Sequence, residues 1–158
     1  MRSFVLLSAT LALLGACGSP RPVVDAGRPG GTSLFRFDVA KSVRDGTMPN
    51  PPKGSAYGGI YLQEDVGISG PHSGAMQFGD VTVDNLDLTA GISSQSYETL
   101  KLLPGKYVFL GFLDTNHDGA TTKDPNSGDL VTLPTTNPFE IIDGVQGKKT
   151  IVFDLVFN

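Results

Sequence analysis

Short runs of alternating apolar and polar residues are the feature that most constrains this chain. In the segment LFRFDV at 34–39, every second residue from Phe35 to Val39 is apolar and the residues between them are charged. From residue 33 onward, no segment repeats apolar residues at helical spacing for ten positions. Since successive side chains of a strand point to opposite faces, these runs predict strands rather than helices.

The runs are separated by Gly- and Pro-rich turn signals, which predicts an all-β fold. The segment KYVFLGFL at 106–113 is apolar on both faces and is typical of a central strand. In the last run, 150–157, we expect Ile151, Phe153, Leu155 and Phe157 to face inward and Asp154 outward. Seven or eight short strands favour an antiparallel β-sandwich, with a closed barrel as the alternative. The runs lie at 34–39, 57–63, 75–83 with a break at Gly79, 86–88, 96–100, 106–113, 139–142 and 150–157.

The N-terminal segment has the pattern of a secretory signal peptide, which we assign to residues 1–16. A basic start, Met1-Arg2, precedes the apolar run FVLLSATLALL at 4–14. As a helix, this run is about 17 Å long at 1.5 Å per residue. The hydrocarbon core of a bilayer is about 30 Å thick, so the run is too short for a lasting transmembrane helix.

Cys17 is the single cysteine of the chain and ends the sequence Leu-Gly-Ala-Cys. One cysteine excludes an internal disulfide framework. The four residues resemble a bacterial lipobox, which implies cleavage after Ala16 and lipidation of Cys17, anchoring the chain in a membrane. An ordinary signal peptide that happens to contain a cysteine is the alternative. In lipoproteins, the absence of Asp after the cysteine favours the outer membrane, with the protein facing the periplasm or the cell surface.

Residues 17–32 are predicted to be the lipidated cysteine and a tether, and residues 33–158 a single β-sandwich domain. Seven of the fifteen residues in GSPRPVVDAGRPGGT at 18–32 are Gly or Pro. A flexible chain of this length spans about 20 Å. The net charge of −4 and the scattered basic residues argue against a nucleic-acid partner.

A candidate metal loop follows the predicted central strand directly. Asp114, Asn116 and Asp118 alternate and are followed by Gly119, which is the first half of a calcium-loop pattern. Alternate side chains of a curled loop can point inward, the glycine accepts the sharp turn, and Ala120 can offer its backbone carbonyl. These hard oxygen donors suit Ca²⁺, with a weak dissociation constant of about 10⁻⁴ to 10⁻³ M.

The second half of the loop departs from the helix-loop-helix version. Its twelfth position is Pro125 rather than Glu, so another carboxylate has to close the site. Asp124 and Asp129 are the candidates, and we prefer Asp129. A polar turn of Asx type without metal is the alternative. The repulsion among three clustered carboxylates argues for a cation.

Three segments resemble prealbumin-like domains, which are similar to the carboxypeptidase-regulatory and collagen-adhesin B-type repeats. They are LPGKY at 103–107, FLDTNHDG at 112–119 and GD at 128–129. The resemblance covers about thirty residues, with Leu103 in place of the first proline of the pattern and a longer loop at 121–127. It implies a prealbumin-like or immunoglobulin-like sandwich that acts as a non-catalytic structural or binding module.

These features together predict a lipid-anchored, non-catalytic envelope module with a calcium-stiffened loop, which presents or binds an envelope protein or a glycan. The alternative is a carbohydrate- or peptide-binding module that uses exposed Tyr57, Tyr61 and Tyr97. We expect no catalytic residues. The adjacent His72 and Ser73 are a poor hydrolase pair, because neighbouring side chains of an extended chain point apart.

Overall fold

The computed structural model describes residues 29–158. The predicted signal peptide at 1–16, Cys17 and the tether up to residue 28 lie outside the described residues. Within the described part, Gly30, Gly31 and Thr32 already make hydrogen bonds to the body of the sandwich. Contacts with the sandwich are therefore already present at Gly30.

The described residues form short strands and only single turns of helix. The strands are β1 (Thr32–Val39), β2 (Lys53–Leu62), β3 (Val66–Gly67), β4 (Gly70–Pro71), β5 (Gln77–Asp87), β6 (Tyr97–Glu98), β7 (Gly105–Asp114), β8 (Leu130–Val131), β9 (Pro138–Ile141), β10 (Gln146–Phe153) and β11 (Leu155–Val156). The helical turns are α1 (Lys41–Arg44), α2 (Gly119–Thr122) and a 3-10 helix at Gln63–Asp65. None of the helices within 29–158 has the length and apolarity needed to cross a membrane.

Two sheets pack face to face, which confirms the predicted β-sandwich. One sheet has the order β10-β1-β6, and the other has the order β11-β8-β7-β2-β5 with β9 also paired to β7. The small hairpin β3–β4 stands apart from both sheets. Among the described strands, β1 and β10 are parallel over eight residue pairs and the other pairs are antiparallel. A parallel pair needs a long crossover, and here almost the whole domain lies between the two strands.

Aromatic side chains fill the space between the sheets. The ring centroid of Phe109 on β7 lies 5.9 Å from that of Phe35 and 6.5 Å from that of Phe37, both on β1. All three side chains are fully buried. Edge-to-face rings of this kind stabilise a core beyond the area that they bury. The strand β7 is central, as predicted, because it pairs with β2 on one side and with β8 and β9 on the other.

The predicted runs at 75–83 and 86–88 form one continuous strand, β5. The predicted break at Gly79 is absent. Instead, the register with β2 shifts between Ile60, opposite Gly79, and Tyr61, opposite Gln77. The extra residue, Phe78, forms a β-bulge, which bends the strand without ending it.

The predicted last strand was wrong in its second half. Ile151 and Phe153 face the core, but Leu155 and Phe157 are 47% and 41% exposed. Asp154, predicted to face outward, is buried and accepts hydrogen bonds from the backbone N–H of Leu133 and from a threonine hydroxyl. At this residue the chain crosses from β10 in one sheet to β11 in the other, and the inward–outward alternation is lost.

Candidate metal centre

The candidate loop at 114–129 is the connection of a long β-hairpin between β7 and β8. Phe112 lies opposite Val131 and Leu113 lies opposite Leu130. The next pair of this antiparallel register is Asp114 and Asp129. Pairing of the two strands therefore brings the first predicted ligand next to the preferred closing ligand.

Backbone N–H groups hold both of these carboxylates. Asp114 accepts hydrogen bonds from the N–H groups of Asp118, at 3.2 Å, and Gly119, at 3.0 Å. Asp129 accepts hydrogen bonds from the N–H groups of Thr115, at 3.0 Å, and Asn126, at 2.9 Å. Both aspartates are almost completely buried, with exposures of 2% and 0%. The loop thus folds around two fixed carboxylates.

Asp118 joins these two residues to form a cluster of three carboxylates. One oxygen from each of Asp114, Asp118 and Asp129 lies within 4.8 Å of the other two. The side chain of Asp118 is exposed, so the cluster opens to solvent on one side. Three of the six predicted ligating residues are therefore brought together.

The predicted ligand Asn116 is joined to the cluster through Asn126, which was not among the predicted ligands. The side-chain amide of Asn116 donates to Oδ1 of Asn126 at 2.8 Å, and the amide of Asn126 donates to Asp118 at 2.5 Å. Oδ1 of Asn116 also accepts a hydrogen bond from the N–H of Asp118 at 3.3 Å. No spacing rule points to Asn126, because its role depends on how the loop closes on itself.

Gly119 is required for a different reason from the one predicted. The left-handed residues of the loop are His117, Lys123 and Gly128, with φ of 66°, 54° and 101°, and Gly119 is not among them. A Cβ on Gly119 would lie 2.9 Å from the ring of Phe112 and 3.2 Å from the carboxylate of Asp114. Glycine is therefore needed for the close approach of the backbone to Asp114.

The remaining predicted ligands, Ala120 and Asp124, are not members of the carboxylate cluster. Ala120 lies in the helical turn α2 and is exposed. Asp124 is exposed and lines a neighbouring groove instead. Between the two candidates for the closing carboxylate, the geometry therefore favours Asp129.

The electrostatic environment of the cluster disfavours three negative charges. Burial raises the pKa of Asp129, the hydrogen bonds from Asn126 and Thr115 lower it, and the charges of Asp114 and Asp118 raise it further, so that the pKa is raised overall. The ion pairs Lys41–Asp45, Arg44–Asp38 and Lys53–Asp87 involve none of the three carboxylates. A bound divalent cation would offset this repulsion.

The chemistry of the cluster fits a hard cation. Its donors are carboxylate oxygens, with the amide oxygen of Asn116 nearby, and such ligands suit Ca²⁺. The side chain of Asp118 is exposed, so an ion with its water ligands can approach the two buried carboxylates from that side.

A groove of about 670 Å³ runs over the outer face of the β2–β5–β7 sheet. It is lined by Tyr57, Tyr61, Ile68 and Phe112, and by Asp124 from the carboxylate loop. Tyr57 is only 9% exposed and Tyr61 is half-buried. The third predicted tyrosine, Tyr97, lies on β6 in the other sheet and donates its hydroxyl to the carbonyl of Asp80. Two of the three predicted tyrosines therefore share one concave surface.

His72 and Ser73 lie in an exposed turn after β4.

Comparisons of this chain with protein-family models, with curated proteins and with solved structures found no match.

Proposed function

We propose that this chain is a lipid-anchored, non-catalytic β-sandwich module of the bacterial envelope, which acts in structural presentation or binding and has one loop stiffened by calcium. The observation that carries the calcium assignment is the approach of carboxylate oxygens from Asp114, Asp118 and Asp129 to within 4.8 Å of one another. Two of these residues, Asp114 and Asp118, also satisfy the spacing of the first half of a calcium-loop pattern in the sequence.

The proposed anchor is supported by the sequence before the domain. A signal-like apolar run ends in Leu-Gly-Ala-Cys, and a Gly- and Pro-rich segment separates Cys17 from the first residues of the sandwich. Two or more acyl chains on Cys17 would hold the protein on a membrane stably. The proposed location is the outer membrane, with an envelope protein or a glycan as partner.

Calorimetry on metal-free protein tests the calcium site. We expect saturable binding with a dissociation constant of about 10⁻⁴ to 10⁻³ M. Asp118→Asn should abolish binding, because it removes the exposed carboxylate of the cluster. Asp124→Asn makes the same charge change in the same loop outside the cluster and should leave binding intact. Absence of heat at millimolar calcium would refute the site. Equal losses of calcium binding in the two variants would show that the loop attracts calcium only through its overall negative charge.

Metabolic labelling tests the anchor. In a bacterial host supplied with labelled fatty acid, the wild-type chain should carry the label and partition with membranes. Cys17→Ser should lose the label, because the serine hydroxyl does not replace the thiol in this modification. An unlabelled wild-type protein would remove the anchor from the proposed function.

Binding of a carbohydrate or peptide is a second candidate function, favoured by the groove. Its volume of about 670 Å³ lies within the range of ligand sites, and Tyr61 combines an aromatic ring with a hydroxyl that donates to Gln77 at 2.7 Å. Immobilised glycan and peptide libraries probed with the protein test this function. Tyr61→Ala should remove any signal, whereas Tyr97→Phe, outside the groove, should retain it. A signal that Tyr61→Ala leaves unchanged excludes the groove.

A further inference from the structure

The chain joins the fold at one end of the sandwich, which we call the N-terminal pole. Gly31 and Leu102 exchange two backbone hydrogen bonds, of 3.0 and 2.9 Å. A Cβ on Gly31 would lie 2.3 Å from the carbonyl oxygen of Ile142 and 2.5 Å from that of Val145. Gly31 therefore passes closely between two turns of the chain. The N-terminal pole comprises Gly30 and Gly31 with the turns at 100–104 and 142–145.

Large apolar side chains are exposed on both turns of the N-terminal pole. Leu100 and Leu103 are 67% and 40% exposed, and Ile142 and Val145 are 54% and 46% exposed. Single exposed apolar residues are common on soluble proteins, but several around one point are typical of a contact surface. The contact surface surrounds the place where the preceding chain leaves the domain.

The carboxylate loop lies at the opposite end of the sandwich. The strand β7 begins at Gly105, directly after the turn at 100–104, and ends at Asp114. Its ten residues cover about 30 Å at 3.3 Å per step. The strand β1 runs the same way. It ends at Val39, which lies opposite Phe153 of β10. Asp154, which follows Phe153, donates its N–H to the carbonyl of Val131, beside the end of β7.

The two ends also differ in charge. The loop at 114–129 contains four aspartates and one lysine, so it has a net charge of −3. The N-terminal pole contains one lysine, Lys101, and one aspartate, Asp143, so it has no net charge. Anionic lipid headgroups would repel the loop and not the N-terminal pole.

We propose that the N-terminal pole rests on the lipid surface, with its exposed apolar side chains in the headgroup region and the carboxylate loop directed away from the bilayer. The inference rests on the proposed lipid anchor at Cys17. The tether between Cys17 and the domain spans about 20 Å, which is shorter than the distance of about 30 Å between the two ends. The anchor therefore favours arrangements in which the N-terminal pole is the end nearest to the membrane.

Single tryptophans test this orientation, because the chain contains no native tryptophan. The reporters are Leu103→Trp and Ile142→Trp at the N-terminal pole, with Phe157→Trp as the matched exposed control. Phe157 lies at the other end, where its N–H donates to the carbonyl of Asp129 at 2.8 Å. The chain from Cys17 onward, which contains the whole described fold, is coupled through Cys17 to a maleimide lipid in vesicles of dibrominated phosphatidylcholine.

We expect a blue shift and loss of most of the emission for the two reporters at the N-terminal pole, Leu103→Trp and Ile142→Trp. The emission of Phe157→Trp should be unchanged. Quenching at position 157 equal to that at 103 and 142 would overturn the proposal. So would a blue shift without vesicles that grows with protein concentration, because it would assign the surface to a second copy of the chain. Since the lipid is attached chemically, the result does not depend on lipidation in the cell, which the labelling experiment tests separately.

Discussion

Asp114, the last residue of β7, and Asp129, the residue before β8, flank the point where the β7–β8 ladder opens into the loop, and each carboxylate accepts two backbone N–H groups. Hydrogen bonds of this type to a charged acceptor are stronger than those between neutral groups. They fix the positions of the two carboxylates before any ion arrives. A cation would therefore have to order only the exposed side of the site, near Asp118.

Replacing Gly119 by alanine should disturb this arrangement directly. The new Cβ would lie 2.9 Å from the ring of Phe112 and 3.2 Å from the carboxylate of Asp114, so one of the two must move. We expect a loss of stability of about 1–3 kcal/mol from overpacking, and a weaker response to calcium. Urea unfolding with and without calcium measures both effects.

Gly79→Ala is the matched control for Gly119→Ala. Its Cβ would meet only the terminal methyl of Ile60, at an ordinary 3.5 Å. If both variants lose the same stability, the effect comes from the loss of glycine in general rather than from crowding of Asp114.

The effect of calcium on thermal stability should depend on pH. The raised pKa of Asp129 means that its ionisation disfavours the metal-free fold. Protonated Asp129 therefore contributes to the stability of the metal-free fold. This contribution is fully present below the ordinary aspartate pKa near 4 and is lost as the pH rises through the raised pKa. Calcium binds the ionised form, so its stabilising effect should be larger at pH 7 than at pH 4.

At a dissociation constant of about 1 mM, 10 mM calcium stabilises a protein by about 1.4 kcal/mol, which raises the Tm by about 3–6 °C for a domain of this size. Differential scanning calorimetry at the two pH values measures this shift. An equal shift in Tm at pH 4 and pH 7 would contradict a role for ionised Asp129, and magnesium at the same concentration controls for ionic strength.

Asn137→Ala should be strongly destabilising although the residue lies outside the candidate site. Asn137 is fully buried and takes the place of a neighbouring strand for Val152, accepting its N–H at 2.8 Å and donating to its carbonyl at 2.9 Å. Alanine would leave both backbone groups without these bonds, at a cost of about 2–4 kcal/mol. The midpoint of urea unfolding measures the loss. The exposed neighbour Thr135, changed to alanine, should alter it by less than about 0.5 kcal/mol.

Asp87 should contribute to the loss of stability in strong acid. The side-chain hydrogen bond from Lys53 and the hydrogen bonds from Thr89 lower the pKa of Asp87 from 3.8 to about 2. A lowered pKa in the folded state stabilises the protein above the ordinary aspartate pKa, and this contribution is lost as the pH falls through about 2. The group is exposed, so the effect is small and should be screened by salt.

Urea midpoints between pH 2 and pH 5 in low and high salt test the role of Asp87. Asp87→Asn should flatten the acid limb of the stability profile in low salt. Asp84→Asn, which makes the same charge change on the same strand, is the control. A profile that Asp87→Asn leaves unchanged would show that the Lys53 pair does not contribute.

The sequence by itself determined the features that depend on local spacing. Alternation of apolar residues predicted the strands, because the side-chain period of a strand is two, and the run at 106–113 was predicted to be central because it is apolar on both faces. The pattern at Asp114, Asn116 and Asp118 identified candidate ligands because these residues are close along the chain. The assignment of Cys17 is equally local and stays a prediction.

The tertiary structure decided every feature that depends on which distant segments meet. The parallel pairing of β1 with β10, the change of sheet at Asp154 and the approach of Asp129 rather than Asp124 follow from pairings across the chain. Local pattern does not specify such pairings, because a strand presents the same alternation to any partner and only the packing of the whole core selects one register. The opposition of the N-terminal pole and the carboxylate loop has the same origin.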